Sequence, residues 1–286
     1  WPEQEIHLSV QANAVNWATV KFWHRQGVSR VILSRELSLD EIEEMRQQCP
    51  EMELEVFVHG ALCIAYSGRC LLSGYMTHRD SNQGACTNSC RWEYNTHEAV
   101  QSDTGDIIAV DATAPQIHHP DAAEPILLQE KSRPGEYMPA YEDEHGTYIM
   151  NSKDLRAVQH VDRLVKMGIH SLKIEGRTKS HYYVARTAQV YRAAIDNALA
   201  GRPFDMGLMS ELEHLANRGY TEGFYRRQVP DEYQNYDVGN STNPNQQFVG
   251  EALECDGEFM TVDVKNYFEV GDTLELISPA GNSTFR

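Results

Sequence analysis

The 286-residue chain reads as an α/β protein: a partial TIM-like (β/α) barrel with a long cysteine-bearing insertion, then a small C-terminal β-barrel-like domain. Three observations predict this. Strand and helix signals alternate through the opening third, they resume near residue 152 after a long break, and from Gln247 the texture changes to short alternating strands. Alternation with short connections means parallel pairing by crossovers, which builds a sheet or a barrel.

The elements follow in order. Residues 6–10 form a strand and residues 14–26 a helix, with Val15, Ala18 and Phe22 near one face. Residues 31–34 are a second strand. Ser38-Leu-Asp-Glu41 has capping-box form, in which the hydroxyl and the carboxylate satisfy orphan N–H groups, so a helix starts there. It runs to about Gln48 and stops before Pro50, and residues 54–58 make a third strand. Residues 60–151 then break the rhythm, too long a stretch to lie structureless inside a compact domain. Its second half holds hairpin material, residues 137–141 and 147–150 around a Glu-Asp-Glu-His-Gly turn.

The rhythm resumes with a helix over 152–167, whose Leu155, Val158, Val161, Leu164 and Val165 form an apolar stripe ended by Gly168. A strand over 169–174, a loop over 175–180 and a long helix over 181–200 follow. Strands over 248–254, 259–264 and 273–277, with turns at Asp256-Gly and Val270-Gly-Asp, mark the last domain. The expected division is a barrel domain at 1–234, a polar linker at 235–246 and an all-β domain at 247–286.

A net charge of −17 argues against the whole surface trapping nucleic acid, though it leaves room for a local basic groove. Hydrophobic content of 41% and charged content of 23% are ordinary for a globular protein. No apolar run approaches the roughly 20 residues of a membrane helix, and no signal-peptide pattern is present, so no membrane partner and a cytoplasmic location are expected. In that compartment grouped cysteines bind metal or do redox work more often than they form bridges. The chain begins at Trp1 and enters a strand almost at once, so a fragment lacking an N-terminal portion is expected, with an incomplete barrel that is inactive alone.

In parallel α/β folds, chemistry sits at the C-terminal ends of the strands. There lie Gln11 and Asn13 after the first strand, Arg35 and Glu36 after the second, and His59 after the third. Lys173, Glu175, Arg177 and Lys179 cluster at the end of the strand that closes at Ile174. Individually these suit solvated loops and caps. Jointly they favour a site at one mouth.

Directly after the third strand come Cys63, Cys70, Cys86 and Cys90. They lie among Gly, Ser, Thr, Asn and Arg, not on a periodic apolar face, which favours metal ligation over packing. Zinc usually announces itself with two C-x2–4-C knuckles, and only Cys86-x3-Cys90 comes close. Irregular spacing suits an iron–sulfur cluster at least as well. Cys49 and Cys255 lie outside the window and are expected to be structural.

Glu55-Val-Phe57-Val-His-Gly60-Ala-Leu-Cys63, then Gly68-Arg-Cys70-Leu-Leu-Ser73, resembles the signature of peptidase family U32. The segment from Gly74 through Cys86-Thr-Asn-Ser-Cys90-Arg-Trp-Glu-Tyr94, with Ser171-Leu-Lys-Ile-Glu-Gly-Arg177, is similar to its tRNA-hydroxylating branch. The resemblance implies an oxygen-independent, prephenate-dependent 5-hydroxylation of the wobble uridine of tRNA, with the anticodon loop as partner. It also implies a [4Fe–4S] cluster on Cys63, Cys70, Cys86 and Cys90, loaded by iron–sulfur assembly proteins, with zinc as the alternative metal. On this reading Arg35, Lys173, Arg177 and Lys179 bind the substrate carboxylates, and Glu36, His59 and Glu175 move protons. A base reaching that mouth must leave its stack.

Two other classes compete. A U32-type, collagenase-like peptidase needs an activated nucleophile or a metal-bound water, but no G-x-S-x-G or H-E-x-x-H is present. A dyad of Cys63 or Cys70 with His59 would leave the other thiols unexplained. A non-catalytic RNA-binding protein would use Arg69, Arg79, Arg91 with Trp92 and Tyr94, and Arg226-Arg227 flanked by Phe224 and Tyr225. The bland reading of those arginines is a solvated surface.

Overall fold

The structure is a computed structural model, and it describes residues 1, 3–63, 65–87, 99–101, 107–109, 126–129, 137–143, 146–148, 153–176, 179–213, 215, 217, 219–226, 247–257, 259–279 and 281–286. Strand β1 (His7–Leu8) leads into a 3-10 turn, Val10–Ala12, that closes on Asn13 in the left-handed region. Helix α1 (Trp17–Arg25) starts where the Asn16 side chain accepts from Thr19 N at 2.9 Å. Strand β2 (Arg30–Ile32) follows, then α2 (Leu39–Gln48). The expected capping box is present, with Ser38 N donating to the Glu41 carboxylate at 2.8 Å. Cys49, at the end of α2, is buried, while Cys255 is exposed, so only the first has a core role.

Strand β3 (Glu53–Ala61) is the axis of the fold, with every residue from Leu54 to Gly60 buried. A strand covered on both faces needs such a near-continuous run. It pairs in parallel with β2, Arg30 opposite Glu53, and extends beyond the expected residue 58 to the edge of the cysteine loop. Helix α3 (Leu72–Thr77) lies within that loop. Strand β4 (Ala99–Gln101) pairs with β5 (Ile107–Ala109), and β6 (Ile126–Gln129) pairs with β7 (Tyr137–Asp143), which turns back through β8 (Gly146–Tyr148). The expected hairpin is therefore present, with Tyr141 opposite Tyr148.

The expected helix over 152–167 divides. Its first part is β9 (Asp154–Arg156), a 3-10 turn follows at Val158–His160, and only α4 (Val161–Met167) is α-helical. Tertiary pairing overrides the stripe, because β9 runs antiparallel to β3 and the Ala157 amide donates to Val58 O at 2.9 Å. Leu155 and Val158 are buried either way, so their spacing alone did not distinguish the two conformations.

Strand β10 (Ser171–Ile174) pairs in parallel with β3, with a bulge where Lys173 faces Phe57 and Ile174 faces His59. A bulge redirects the groups after it. Here His59 O accepts from Glu175 N at 2.9 Å, while Val58 O accepts from Ala157 N and from the Tyr191 hydroxyl, the latter at 2.6 Å. Helix α5 (His181–Leu199), capped by Ser180, buries Tyr183, Arg186, Thr187, Val190, Tyr191 and Ala194 along one stripe. Helix α6 (Gly207–Glu213) and strand β11 (Tyr220–Thr221) complete this part, β11 pairing in parallel with β9. The result is a six-stranded, mostly parallel sheet with helices against it.

The last residues form two antiparallel hairpins, β12 (Gly250–Cys255) with β13 (Met260–Val264) and β14 (Leu274–Leu276) with β15 (Ser283–Phe285). Strand β15 was not expected. The hairpins rest on α5, where buried Arg186 meets Glu211 at 3.0 Å and Glu275 at 2.6 Å. Among the described residues no helix is long and apolar enough to cross a membrane.

Candidate functional site at the strand ends

The cysteine loop is pinned across the C-terminal ends of β1 and β2. The Gln11 side chain donates to Ser81 O at 3.5 Å, and a Cβ on Gly68 would lie 2.1 Å from Gln11 O. With φ at +74°, Gly68 is therefore required twice over. Glu36 accepts from Ser67 N at 2.6 Å and from its hydroxyl at 3.3 Å. Glu36, expected as a proton carrier, thus has its carboxylate on the loop in this structure.

Cys70 is held by its backbone. Asn82 accepts from the Cys70 amide at 3.2 Å and donates to its carbonyl at 2.9 Å, and Ser81 adds a bond to that carbonyl at 3.1 Å. Cys63 and Cys86 are exposed and Cys70 is half-buried. Cys90 lies outside the described residues. Thiols on an anchored loop have the donor chemistry for a soft metal. Among the described residues, however, no three His, Cys, Asp or Glu side chains are gathered as metal ligands.

Below the loop a charged ladder crosses the sheet. Arg30 joins Glu53 at 2.6 Å and Glu55 at 3.6 Å, and Lys173 reaches Glu55 at 3.1 Å. Phe57, two residues beyond Glu55 on β3, carries the Arg35 guanidinium at 3.6 Å from its ring centre and the Lys173 ammonium at 5.3 Å. Arg35 is ion-paired with Glu175, and the Arg35 Nε is buried without a hydrogen-bond partner. Arg35 and Lys173 thus share the Phe57 ring, and each cation already has a carboxylate, Glu175 for the first and Glu55 for the second. Lys179 likewise faces fully buried Asp154 at 3.5 Å. Arg177 lies outside the described residues. Gly60 lets the ends of β3 and β10 touch, since a Cβ there would lie 2.0 Å from Glu175 O.

His59 does not open onto this mouth. It is 1% exposed and packed among Tyr183, Tyr191 and Tyr220, with ring centres 5.5–5.6 Å away. The Tyr191 hydroxyl gives its proton to Val58 O and accepts from Ala157 N, so its 3.4 Å contact with His59 Nδ1 assigns that nitrogen as the donor. Nε2 is then a bare, buried lone pair. Burial pushes the imidazole down to about 3; the Asp154 carboxylate opposes this, and Arg156 and Lys179 reinforce it. His59, expected as a proton-transfer group, is thus held neutral in a buried setting in this structure.

Of the expected RNA-binding residues, Arg69 and Arg79 are exposed. Arg226 is exposed but paired with Glu222, and neighbouring Tyr225 is buried with its hydroxyl on Phe57 O, so that aromatic is no stacking platform. Arg91, Trp92, Tyr94 and Arg227 lie outside the described residues. Sequence reasoning missed Phe57 and Asn82 as site residues. It also missed Tyr66, 67% exposed and one turn from Arg69, whose amide bonds Tyr66 O at 3.0 Å. The period-two spacing of Glu55 and Phe57 was the available signal for the first. The Asn82 clamp had none.

Residues 1–235 match the model of peptidase family U32, and residues 244–286 match that of the peptidase family U32 C-terminal domain. The chain belongs to peptidase family U32. Among curated relatives it is 63% identical, over its whole length, to tRNA hydroxylation protein P of Escherichia coli (strain K12), of which it covers 65%. It is 36% identical to tRNA hydroxylation protein P1 of Bacillus subtilis (strain 168), over 97% of this chain and 59% of the relative. A relative named "Collagenase", from Porphyromonas gingivalis (strain ATCC BAA-308 / W83), is 26% identical over 96% of this chain and 61% of its own. The chain thus spans less than two thirds of the length of these relatives. No solved structure matches it.

Proposed function

We propose that the chain is part of a tRNA-modifying hydroxylase that installs a 5-hydroxyl on the wobble uridine, without oxygen and with prephenate as co-substrate. The observation that carries the reading is the cysteine loop pinned by Glu36, the neighbour of Arg35 at the end of β2, in a chain 63% identical to a tRNA hydroxylation protein. In this reading the fold is part of a larger (β/α) barrel whose mouth is the strand-end site. Cys63, Cys70, Cys86 and Cys90 hold a [4Fe–4S] cluster, which supplies one-electron chemistry when bound. Arg35 and Lys173 receive carboxylates, Glu175 handles a proton at the mouth, and Arg69 and Arg79 meet phosphates of the anticodon loop.

The peptidase reading is weaker on a specific observation. The base for a thiol dyad would be His59, which is buried and neutral while Cys63 is exposed. Anaerobic purification of the full-length protein with iron and sulfide analysis tests the cofactor; a colourless or zinc-loaded protein refutes the cluster. In a deletion strain, wild type restores 5-hydroxyuridine derivatives of tRNA and Cys63→Ala does not. Restoration by Cys63→Ala refutes the hydroxylase assignment of that loop.

A further inference from the structure

Two cations, Arg35 and Lys173, lie near the Phe57 ring at the strand-end mouth, and the carboxylates paired with them are not held alike. Glu55 has 11% side-chain exposure and lies between two cations, Arg30 at 3.6 Å and Lys173 at 3.1 Å. Glu175 is 32% exposed, and its side chain meets Arg35 as its ion-pair partner among the described residues. Its backbone is locked, with the amide on His59 O and the carbonyl against Gly60, so only the side chain is free to swing. Arg35 is its complement, its guanidinium carbon 3.6 Å from the Phe57 ring centre, with 12% side-chain exposure and its Nε buried and without a hydrogen-bond partner. A planar fork seated on a ring, with only part of its donor set engaged, is preorganised for a carboxylate.

We propose that Glu175 is a built-in stand-in for a ligand carboxylate: an anionic ligand displaces it from Arg35, and the displacement releases the Glu175 carboxylate into the mouth. The inference deepens the reading above by naming what occupies the substrate-anion site beforehand. The paired site is neutral, so an incoming anion gains little unless one resident carboxylate leaves. Glu175 is the one that leaves, because Glu55 is held from two sides. The swap conserves charge at Arg35 and leaves a free carboxylate beside the bound ligand, where a proton acceptor is useful. Recognition and deployment of the acid–base group thereby become one event. Lys173, with its ammonium 5.3 Å from the ring centre and 39% side-chain exposure, stays paired with Glu55 and adds a second, partly exposed positive charge near the site, which favours a dicarboxylate over a monocarboxylate.

Titration calorimetry on the intact protein, with prephenate and separately with malonate as a plain dicarboxylate, tests this. Glu175→Gln removes the competitor and is expected to tighten malonate about tenfold, the worth of one partly buried pair. Glu175→Asp, one methylene shorter, gives a smaller gain in the same direction and guards against misfolding of the first variant. Arg35→Gln loses binding of both ligands. Unchanged or weaker malonate binding in both Glu175 variants, with wild-type thermal unfolding, overturns the stand-in role. Failure of malonate to bind the wild type or Glu175→Gln overturns the site itself. Binding of malonate with the expected Glu175 dependence, but none of prephenate, upholds the stand-in and rejects only the prephenate assignment.

Discussion

Burial of His59 makes stability depend on pH in a way that a single substitution isolates. The folded imidazole titrates near 3, against 6.5 for the unconstrained group, because its ring lies among Tyr183, Tyr191 and Tyr220 with charged Asp154, Arg156 and Lys179 beyond. Between those values the unfolded chain binds a proton that the folded one refuses. Stability is therefore full above about pH 6.5 and falls as pH drops, by about 1.4 kcal/mol per unit once well below it. Relative to pH 8, this one residue costs about 2 kcal/mol at pH 5 and approaches about 5 kcal/mol below pH 3. The assay is urea unfolding followed by intrinsic tryptophan fluorescence, for wild type and His59→Gln across pH 5 to 8. Other histidines contribute equally to both proteins, so the difference between the two curves reports His59. The stability gap should narrow by about 2 kcal/mol from pH 8 to pH 5. Parallel curves, or an NMR titration of His59 near 6.5 in the folded protein, would refute the sealed-ring reasoning.

Gly60→Ala places a Cβ 2.0 Å from Glu175 O at a φ of +110° and is expected to cost about 3 kcal/mol or more in thermal or urea unfolding. Ser38→Ala removes half of the capping box on α2 and should cost about 1 kcal/mol, with Glu41→Ala in the same range and less than additive in the double variant. Arg186→Met strips the buried partner from Glu211 and Glu275; a loss of about 3 kcal/mol is expected, partly recovered when Glu275→Gln is added. Asn82→Leu leaves the Cys70 amide and carbonyl without their clamp, and faster hydrogen exchange confined to residues 67–87 is the expected sign.

Much of the fold was legible because its signals are local. The capping box at Ser38 and Glu41, the stripe of α5 and the apolar run of β3 each depend on residues a few positions apart. The residues around the cysteine window likewise resemble the signature of family U32. Strand β9 escaped because Leu155 and Val158 serve a helix or a strand equally well, and the demand of Val58 O for the Ala157 amide comes from a segment some 100 residues away. The site was half legible for the same reason. Charged residues at strand ends marked the mouth, but which charges neutralise which is a matter of distance between separate loops.

The chain by itself determined the alternation of elements, the placement of the cysteines after β3 and the membership of the family, since periodicity, capping and motif spacing are properties of order along a polymer. Tertiary structure alone decided that His59 is sealed among three tyrosines, that Glu36 anchors a loop and that Glu175 occupies Arg35. Burial and Coulomb attraction act through space, and no linear pattern records which side chains the bulge at Val58 brings together.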